Sequence, residues 1–527
     1  MDEFNIILFL CNWSPHAAFQ TLQDQGCTIP PEIKMIRIPC TGRISKSLLF
    51  KAFEMGADGV ALVGCEPGTC RYGSGTATAR NNTEDTRDIL GLLGLGKERL
   101  RHATFLPDES ERLMEFLDSF CREIRSLGPS PVRPARVPSS EAVSKESLAG
   151  ILSLHDVFAC QDCGKCSSAC PLALAGKPYS PRAIVNAIIA GGLDTPAVRK
   201  DVWSCLTCGI CYERCPSAVK FHEFIRDIRC FIKQNSKNGH ESHGGFFQSL
   251  MRAMTAPGLK AQRWDWLPED IGLDPASKTL FFGGCAPYFD IFFRHHHGVE
   301  TRKVAVDSLR LLNFFDIRPA LLEDERCCGH DLLWSGDRDN FLRLAALNVA
   351  AIRNLGIQEV ITTCPECYRT LSRDYPEHGI KIDFKVTHLY ELLENEIDKG
   401  AVDFKKINRK LTFQDSCRLN QLKRPTDLSR KLIRRLKPAG FTEMRDNGSA
   451  AICCGNCAWT GCDAYSKSLQ VKRLKQALET GSDLLVTACP KCQIHLNCAM
   501  EDPFLGEALK LELTDLTSVI AKTIYWE

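Results

Sequence analysis

The chain has almost no net charge, no long apolar run and no glycine-rich dinucleotide fingerprint. Its 66 basic and 64 acidic residues leave a formal charge of +2, which offers no electrostatic case for binding nucleic acid. No stretch approaches the roughly 18 apolar residues of a membrane span. The opening Asn5-Ile6-Ile7-Leu8-Phe9-Leu10 is short, lacks a basic flank and runs into Cys11. It therefore reads as a buried strand and not as a signal peptide. No GxGxxG sequence is present, so a flavin is expected only on a partner. A reducing cytoplasm is the expected setting.

Cysteine is what the chain has in excess, 28 in 527 residues. In a secreted protein such a count would mean disulfides, but here the spacings are those of metal ligands. The length predicts three to four domains, and 44% hydrophobic residues suffice for their cores. The expected fold is multidomain, α/β and α. It comprises an N-terminal open parallel α/β domain, a helical bis-[4Fe–4S] ferredoxin-like domain and two tandem α/β cysteine-rich repeats.

Residues 1–128 form the first expected domain. The short apolar runs Ile6–Leu10, Met35–Pro39 and Gly59–Gly64 each end at a cysteine, Cys11, Cys40 and Cys65. Strands that deliver ligands at their carboxyl ends suggest an open parallel sheet. Cys70 follows in the Gly-rich loop Gly64–Gly75. Four cysteines at one sheet edge suit a [2Fe–2S] cluster. A phosphate-binding loop is the rival reading of Gly64–Gly75, and the four thiols argue against it.

Residues 129–140, with Pro129, Pro131, Pro134 and Pro138, read as a stiff linker. Residues 141–235 read as largely helical, with Ser180-Pro181 starting one helix and Gly191 ending it. Two runs dominate this region, Cys160-x2-Cys163-x2-Cys166-x3-Cys170-Pro171 and Cys205-x2-Cys208-x2-Cys211-x3-Cys215-Pro216. In such runs three near neighbours wrap one cubane and the fourth cysteine ligates the other. The expected sets are Cys160, Cys163, Cys166 and Cys215 for one [4Fe–4S] and Cys205, Cys208, Cys211 and Cys170 for the second. Structural zinc is the alternative, but this doubled spacing is not a zinc spacing.

Residues 236–277 read as a second linker. From residue 278 the chain repeats itself, as 278–403 and 404–527, with matching segments offset by about 125 to 132 residues. Cys285, Cys327-Cys328-Gly329 and Cys364-Pro365-Glu366-Cys367 are echoed by Cys417, Cys453-Cys454-Gly455 and Cys489-Pro490-Lys491-Cys492. Helices are expected at Val299–Asn313 and Phe341–Leu355. Five thiolates converging on one point exceed the four that a cubane or zinc takes, so two unusual iron–sulfur centres are expected. A pseudo-two-fold arrangement would bring the two sets face to face.

Residues 141–527 resemble heterodisulfide reductase. The doubled cubane motif resembles its ferredoxin-like subunit, and the tandem Cys-Cys-Gly repeat resembles its cysteine-rich catalytic subunit. That resemblance implies a noncubane [4Fe–4S] cluster on each five-cysteine set, with a disulfide cleaved between the two. The N-terminal domain resembles the delta subunit of methyl-viologen-reducing hydrogenase through Cys11-Asn12-Trp13, Ile38-Pro39-Cys40-Thr41-Gly42-Arg43 and Gly64-Cys65-Glu66-Pro67-Gly68-Thr69-Cys70. That family usually carries a further cysteine three residues after the first, where this chain has Ser14. Its role implies electron exchange between another oxidoreductase and a flavoprotein resembling the flavin subunit of heterodisulfide reductase.

The resemblance implies an iron–sulfur disulfide reductase subunit of a flavin-based complex. An alternative is an electron-distribution scaffold serving a hydrogenase, formate dehydrogenase or methylene-tetrahydrofolate reductase. A third is the iron–sulfur subunit of a glycolate- or lactate-type oxidase, to whose layout the N-terminal domain is foreign. Cys27, Cys121, Cys230, Cys457, Cys462 and Cys498 lie outside the four constellations and read mainly as buried, unreactive thiols. His295-His296-His297 reads as a solvated loop, and Arg430–Lys437 as a wet helix face or a dock for an acidic partner. His330 and Asp331 stand where they could give a proton to a product thiolate.

Overall fold

The computed structural model describes residues 4–134, 147–236, 239–295, 298–400, 402–420 and 427–526. Part of the proline-rich linker, Pro138 included, lies outside them, as do His296 and His297 of the histidine tract. The chain forms two compact units, Met1–Ser140 with His243–Trp266, and Glu141–Ser242 with Leu267–Glu527. Among the described residues, no helix is long and apolar enough to cross a membrane.

The first unit is built on a parallel sheet of order β2-β1-β3-β4, with β1 Ile6–Cys11, β2 Ile33–Ile38, β3 Gly59–Gly64 and β4 Leu100–Thr104. β3 is buried at every position, as a central parallel strand covered on both faces must be. Helix Ser110–Leu127 places Leu113, Leu117, Phe120 and Ile124 on one face, where they pack with Ile6, Leu8 and Leu10. Helix Gly75–Leu93 stops at Gly94, whose φ of 80° is the left-handed conformation that glycine adopts freely.

The stretch expected as a second linker carries a helix, Phe246–Ala253. It packs within the first unit against helix Lys46–Glu54, with the Phe50 and Phe246 rings 5.4 Å apart and Arg252 Nε 2.6 Å from Glu54. Phe246, Phe247, Leu250 and Met251 recur at helical spacing and are buried, a signal masked in sequence by the polar residues before it.

In the second unit, helix Pro181–Ile189 starts at Ser180, whose side chain accepts from the Ala183 amide, and is followed by left-handed Gly191. Two further parallel sheets follow. The first runs β5-β6-β7, with β5 Thr279–Phe281, β6 Glu359–Thr362 and β7 Lys385–His388. The second runs β11-β10-β8-β9, with β8 Lys410–Gln414, β9 Gly440–Phe441, β10 Leu484–Thr487 and β11 Glu512–Asp515. The order β5-β6-β7 repeats as β8-β10-β11, and Ala320 bridges Leu280 on the side where β9 joins β8. Helices Thr301–Phe314 and Arg338–Asn354 stand within a few residues of the expected spans.

Candidate metal centres

In the first unit β1 ends in Cys11, and Cys40 and Cys65 follow β2 and β3. Cys11 Sγ lies 3.7 Å from Cys65 Sγ, and Cys40 Sγ lies 3.9 Å from Cys70 Sγ. These are contacts between free thiols, far longer than a disulfide bond. A donated Cys11 thiol proton pulls Cys65 down to about 6 and pushes Cys11 up. Ser14, at the position of the family's further cysteine, also donates to Cys65 from its backbone and side chain. A Cβ on Gly75 would stand 2.5 Å from Cys40 Sγ and 2.8 Å from Cys70 Sγ. The residue opening helix Gly75–Leu93 therefore has no room for a side chain beside these thiols.

The two doubled motifs adopt the same turn. Asp162 and Thr207 have φ of 50° and 46°, the following Gly164 and Gly209 have φ of 78° and 86°, and each turn leads into a short helix. In the second motif this winding brings Cys205, Cys208 and Cys211 around one cavity. Cys170, Cys205, Cys208 and Cys211 line one cavity with Pro171, Tyr179 and Phe221. Burial raises the thiols of Cys208 and Cys211 and pushes Cys170 up to about 11. Cys160 and Cys166 are electrostatic neighbours, Cys163 is exposed, and Cys215 accepts from the Val219 amide at 3.4 Å.

Both five-cysteine sets are drawn together. Cys285 lies 3.2 Å from Cys327, which also accepts from the Gly329 amide at 3.4 Å. Cys328 exchanges hydrogen bonds with Cys327 and Cys367, and Cys367 with Cys364. Donation from Cys285 and Cys328 holds Cys327 well below an ordinary thiol. All five line a cavity with Phe282, Phe289, Glu366 and Lys491. In the second set Cys417 meets Cys453, Cys453 meets Cys454, and Cys454 and Cys489 meet Cys492. Cys453 and Cys492 bring Cys454 down to about 6, and its sulfur lies 3.2 Å from His495 Nδ1.

Between the sets lies a buried polar network, of which the sequence pointed only to His330 and Asp331. Lys491 pairs with Glu366 at 2.7 Å and with Asp331. His330 Nδ1 is 2.8 Å from Asp331, and Arg418 Nε is 2.9 Å from His330 Nε2. Burial opposes charge on Asp331, yet the Lys491 ammonium holds its carboxyl well below the usual range. Arg418 stacks on Trp334 with its guanidinium carbon 3.9 Å from the ring centre. Glu366, Lys491 and Arg418 adjoin motif cysteines in sequence, and that adjacency is the signal that could have found them.

The remaining candidates are ordinary. Arg430 is bound by Asp415 and Glu443, Lys431 by Glu394 and Arg435 by Asp398. The charges of Arg430–Lys437 are thus largely satisfied within the chain. Cys121 and Cys230 are buried, Cys27 is half-buried and Cys462 exposed. Cys498 accepts from Lys467 at 3.2 Å, and His295 is exposed.

Residues 6–128 match the family of the methyl-viologen-reducing hydrogenase delta subunit, residues 156–219 a 4Fe-4S dicluster domain, and residues 280–372 and 411–497 a cysteine-rich domain, twice. An iron–sulfur subunit of the F420-non-reducing hydrogenase vhc of Methanococcus voltae is 34% identical over 131 residues, 25% of this chain and 91% of that protein. One subunit of the dihydromethanophenazine:CoB–CoM heterodisulfide reductase of Methanosarcina barkeri is 28% identical over 292 residues, 53% of this chain and 67% of its own length. One subunit of the fumarate reductase (CoM/CoB) of Methanothermobacter marburgensis is 26% identical over 250 residues, 47% of each chain. The chain thus spans about half to two thirds of the length of these two reductase proteins.

Proposed function

Because the chain belongs, through residues 6–128, to the methyl-viologen-reducing hydrogenase delta-subunit family and continues into a 4Fe-4S dicluster domain and tandem cysteine-rich domains, we propose that it is the disulfide-reductase and electron-transfer subunit of a cytoplasmic flavin-based redox complex. It is an iron–sulfur protein related to oxidoreductase subunits. The finer reading assigns a [2Fe–2S] to Cys11, Cys40, Cys65 and Cys70. It assigns one cubane to Cys160, Cys163, Cys166 and Cys215, and the second to Cys205, Cys208, Cys211 and Cys170. Each five-cysteine set then holds a noncubane [4Fe–4S] cluster.

One observation carries the reductase reading. Both five-cysteine sets are complete, and the two repeats meet through Glu366 and Lys491, inside the Cys-Pro-x-Cys motifs, beside a cavity that the first set lines. The bound clusters would supply single electrons. The chain's own residues do the rest. Phe281, Phe282 and Phe289 give the cavity an apolar wall. Lys491, Glu366 and Asp331 hold the two motifs at a fixed separation. The overall reaction takes one disulfide, two electrons and two protons to two thiols. A flavoprotein partner resembling the flavin subunit of heterodisulfide reductase is expected to supply the electrons.

The test is anaerobic iron and sulfide analysis of the full chain, with EPR after oxidation in the presence of candidate thiols. The expected content is about 18 irons per chain, with a thiol-dependent paramagnetic signal and turnover of synthetic disulfides by reduced viologen. About 10 irons with no thiol response would overturn it. Fusion of a hydrogenase-delta-type domain to the rest favours a second reading, an electron-distribution scaffold passing electrons to a hydrogenase, formate dehydrogenase or methylene-tetrahydrofolate reductase. Full iron without disulfide turnover would select it.

A further inference from the structure

The two five-cysteine sets stand differently toward the doubled cubane motif. Cys170 and Cys205 share a buried core with Cys453, Cys454, Cys489 and Cys492, and Cys208, Cys211 and Cys417 pack against it. Among the described residues, no cysteine of the first set joins that core. Cys208 is close enough to interact electrostatically with Cys417 and with Cys453.

A specific bridge completes this contact. Thr207 lies between Cys205 and Cys208 in sequence, and its carbonyl accepts from Arg418 Nη1 at 3.0 Å. Its Oγ1 accepts from Arg418 Nη2 at 3.0 Å and lies 2.9 Å from Cys457 Sγ. Cys457 is itself 2.8 Å from Arg418 Nη2. Thr207 and Arg418 are each 1% exposed, so water does not compete for these bonds. Arg418 is peptide-bonded to Cys417. From Cys208 to Cys417 the path therefore runs through the Thr207–Cys208 peptide, one hydrogen bond, the length of the Arg418 side chain and the Cys417–Arg418 peptide. The path to the first set continues from Arg418 through His330 Nε2 and then along Gly329 to Cys328. It needs a further hydrogen bond and more of the chain. Electron tunnelling weakens with every added bond and gap, so the two routes are unequal.

Resting on the cluster assignments of the proposed function, we infer that electrons pass from the cubane of Cys170, Cys205, Cys208 and Cys211 to the second five-cysteine set by way of Thr207 and Arg418, and reach the first set only from there. Each step moves one electron. The donor side is oxidised by one, the acceptor reduced by one, and no bond forms or breaks. The first set, which lines the cavity, is then the terminal acceptor and the second set the relay. Arg418 is a positioning residue that locks the cubane loop to the second repeat.

The test uses the full-length chain with its clusters, reduced by viologen and sampled by rapid-freeze EPR. Arg418→Met, and the gentler Thr207→Val, should keep the wild-type iron and sulfide content and the wild-type rate of cubane reduction. Both should slow reduction of the repeat clusters several-fold, and Arg418→Lys should recover part of the rate. Cys453→Ala should leave the first set oxidised at times when it is reduced in the wild type. Cys327→Ala should leave reduction of the second set at its wild-type rate. Prompt reduction of the first set in Cys453→Ala, or unchanged rates in Arg418→Met and Thr207→Val, would overturn the order alone. A wild-type chain with no iron in the repeats would overturn the order and the proposed function together.

Discussion

Glu366 and Lys491, the variable residues of the two Cys-Pro-x-Cys motifs, form a buried ion pair with Oε2 and Nζ 2.7 Å apart. Equivalent positions of the two repeats thus carry opposite charges and meet. Asp331 shares the same ammonium. Burying these charges costs desolvation energy, which is recovered only while every partner is present.

Lys491→Met should therefore destabilise the chain more than Glu366→Gln. The first leaves two carboxylates buried without their cation, and the second keeps the Lys491–Asp331 pair. Loss of one buried partner typically costs about 3–5 kcal/mol, which is the expectation for Lys491→Met. Thermal unfolding of the two variants under anaerobic conditions reads the difference, and equal midpoints would show that the Lys491–Asp331 pair kept in Glu366→Gln adds no stability of its own.

Gly75→Ala tests the N-terminal centre without touching a cysteine. The new methyl would stand 2.5 Å from Cys40 Sγ and 2.8 Å from Cys70 Sγ, well inside van der Waals contact. The expected result is loss of the [2Fe–2S] EPR signal, with the cubane signals retained. A normal [2Fe–2S] signal in this variant would place the cluster elsewhere.

The proposed crossed cubane ligation would separate Cys170 from its sequence neighbours. Cys170→Ala should abolish the cubane of Cys205, Cys208 and Cys211, whose cavity it shares. Cys215→Ala should abolish the cubane of Cys160, Cys163 and Cys166. Mössbauer spectra combined with alanine variants within each triad show which signal each fourth cysteine belongs to.

Asp515 provides a pH signature. Burial raises its carboxyl to about 6, although the Thr517 amide donates to it at 2.8 Å. A carboxyl raised on folding favours the native state while protonated. Its contribution is full below the unfolded value near 3.8 and is lost as pH rises through about 6. The whole effect is about 3 kcal/mol. Asp515→Asn should therefore raise the unfolding midpoint relative to wild type at pH 7.5, and by roughly half as much at pH 5. A constant difference across that window would show that Asp515 titrates normally.

Much of the candidate site was legible before any fold was known, because ligand spacing on a turn is a local property. The Cys-x2-Cys-x2-Cys runs, strand ends such as β1 at Cys11, and the echo of Cys364–Cys367 in Cys489–Cys492 all lie within short windows. Hydrophobic periodicity likewise placed helix Arg338–Asn354 and strand β3 to within a few residues. Helix Phe246–Ala253 escaped because the Gly, Asn, Ser and His residues before it read as linker, and its apolar face spans only two turns.

The sequence by itself determined which cysteines stand in each recurring motif and that the second half is a duplication. Both are recurrences along the chain and need no knowledge of packing. Tertiary structure alone decided that Glu366 meets Lys491 and that Arg418 reaches Thr207. Arg418 and Thr207 are 211 positions apart. Such contacts form because burying the cysteine-rich loops leaves their charged neighbours no solvent, so each must find its partner on another segment.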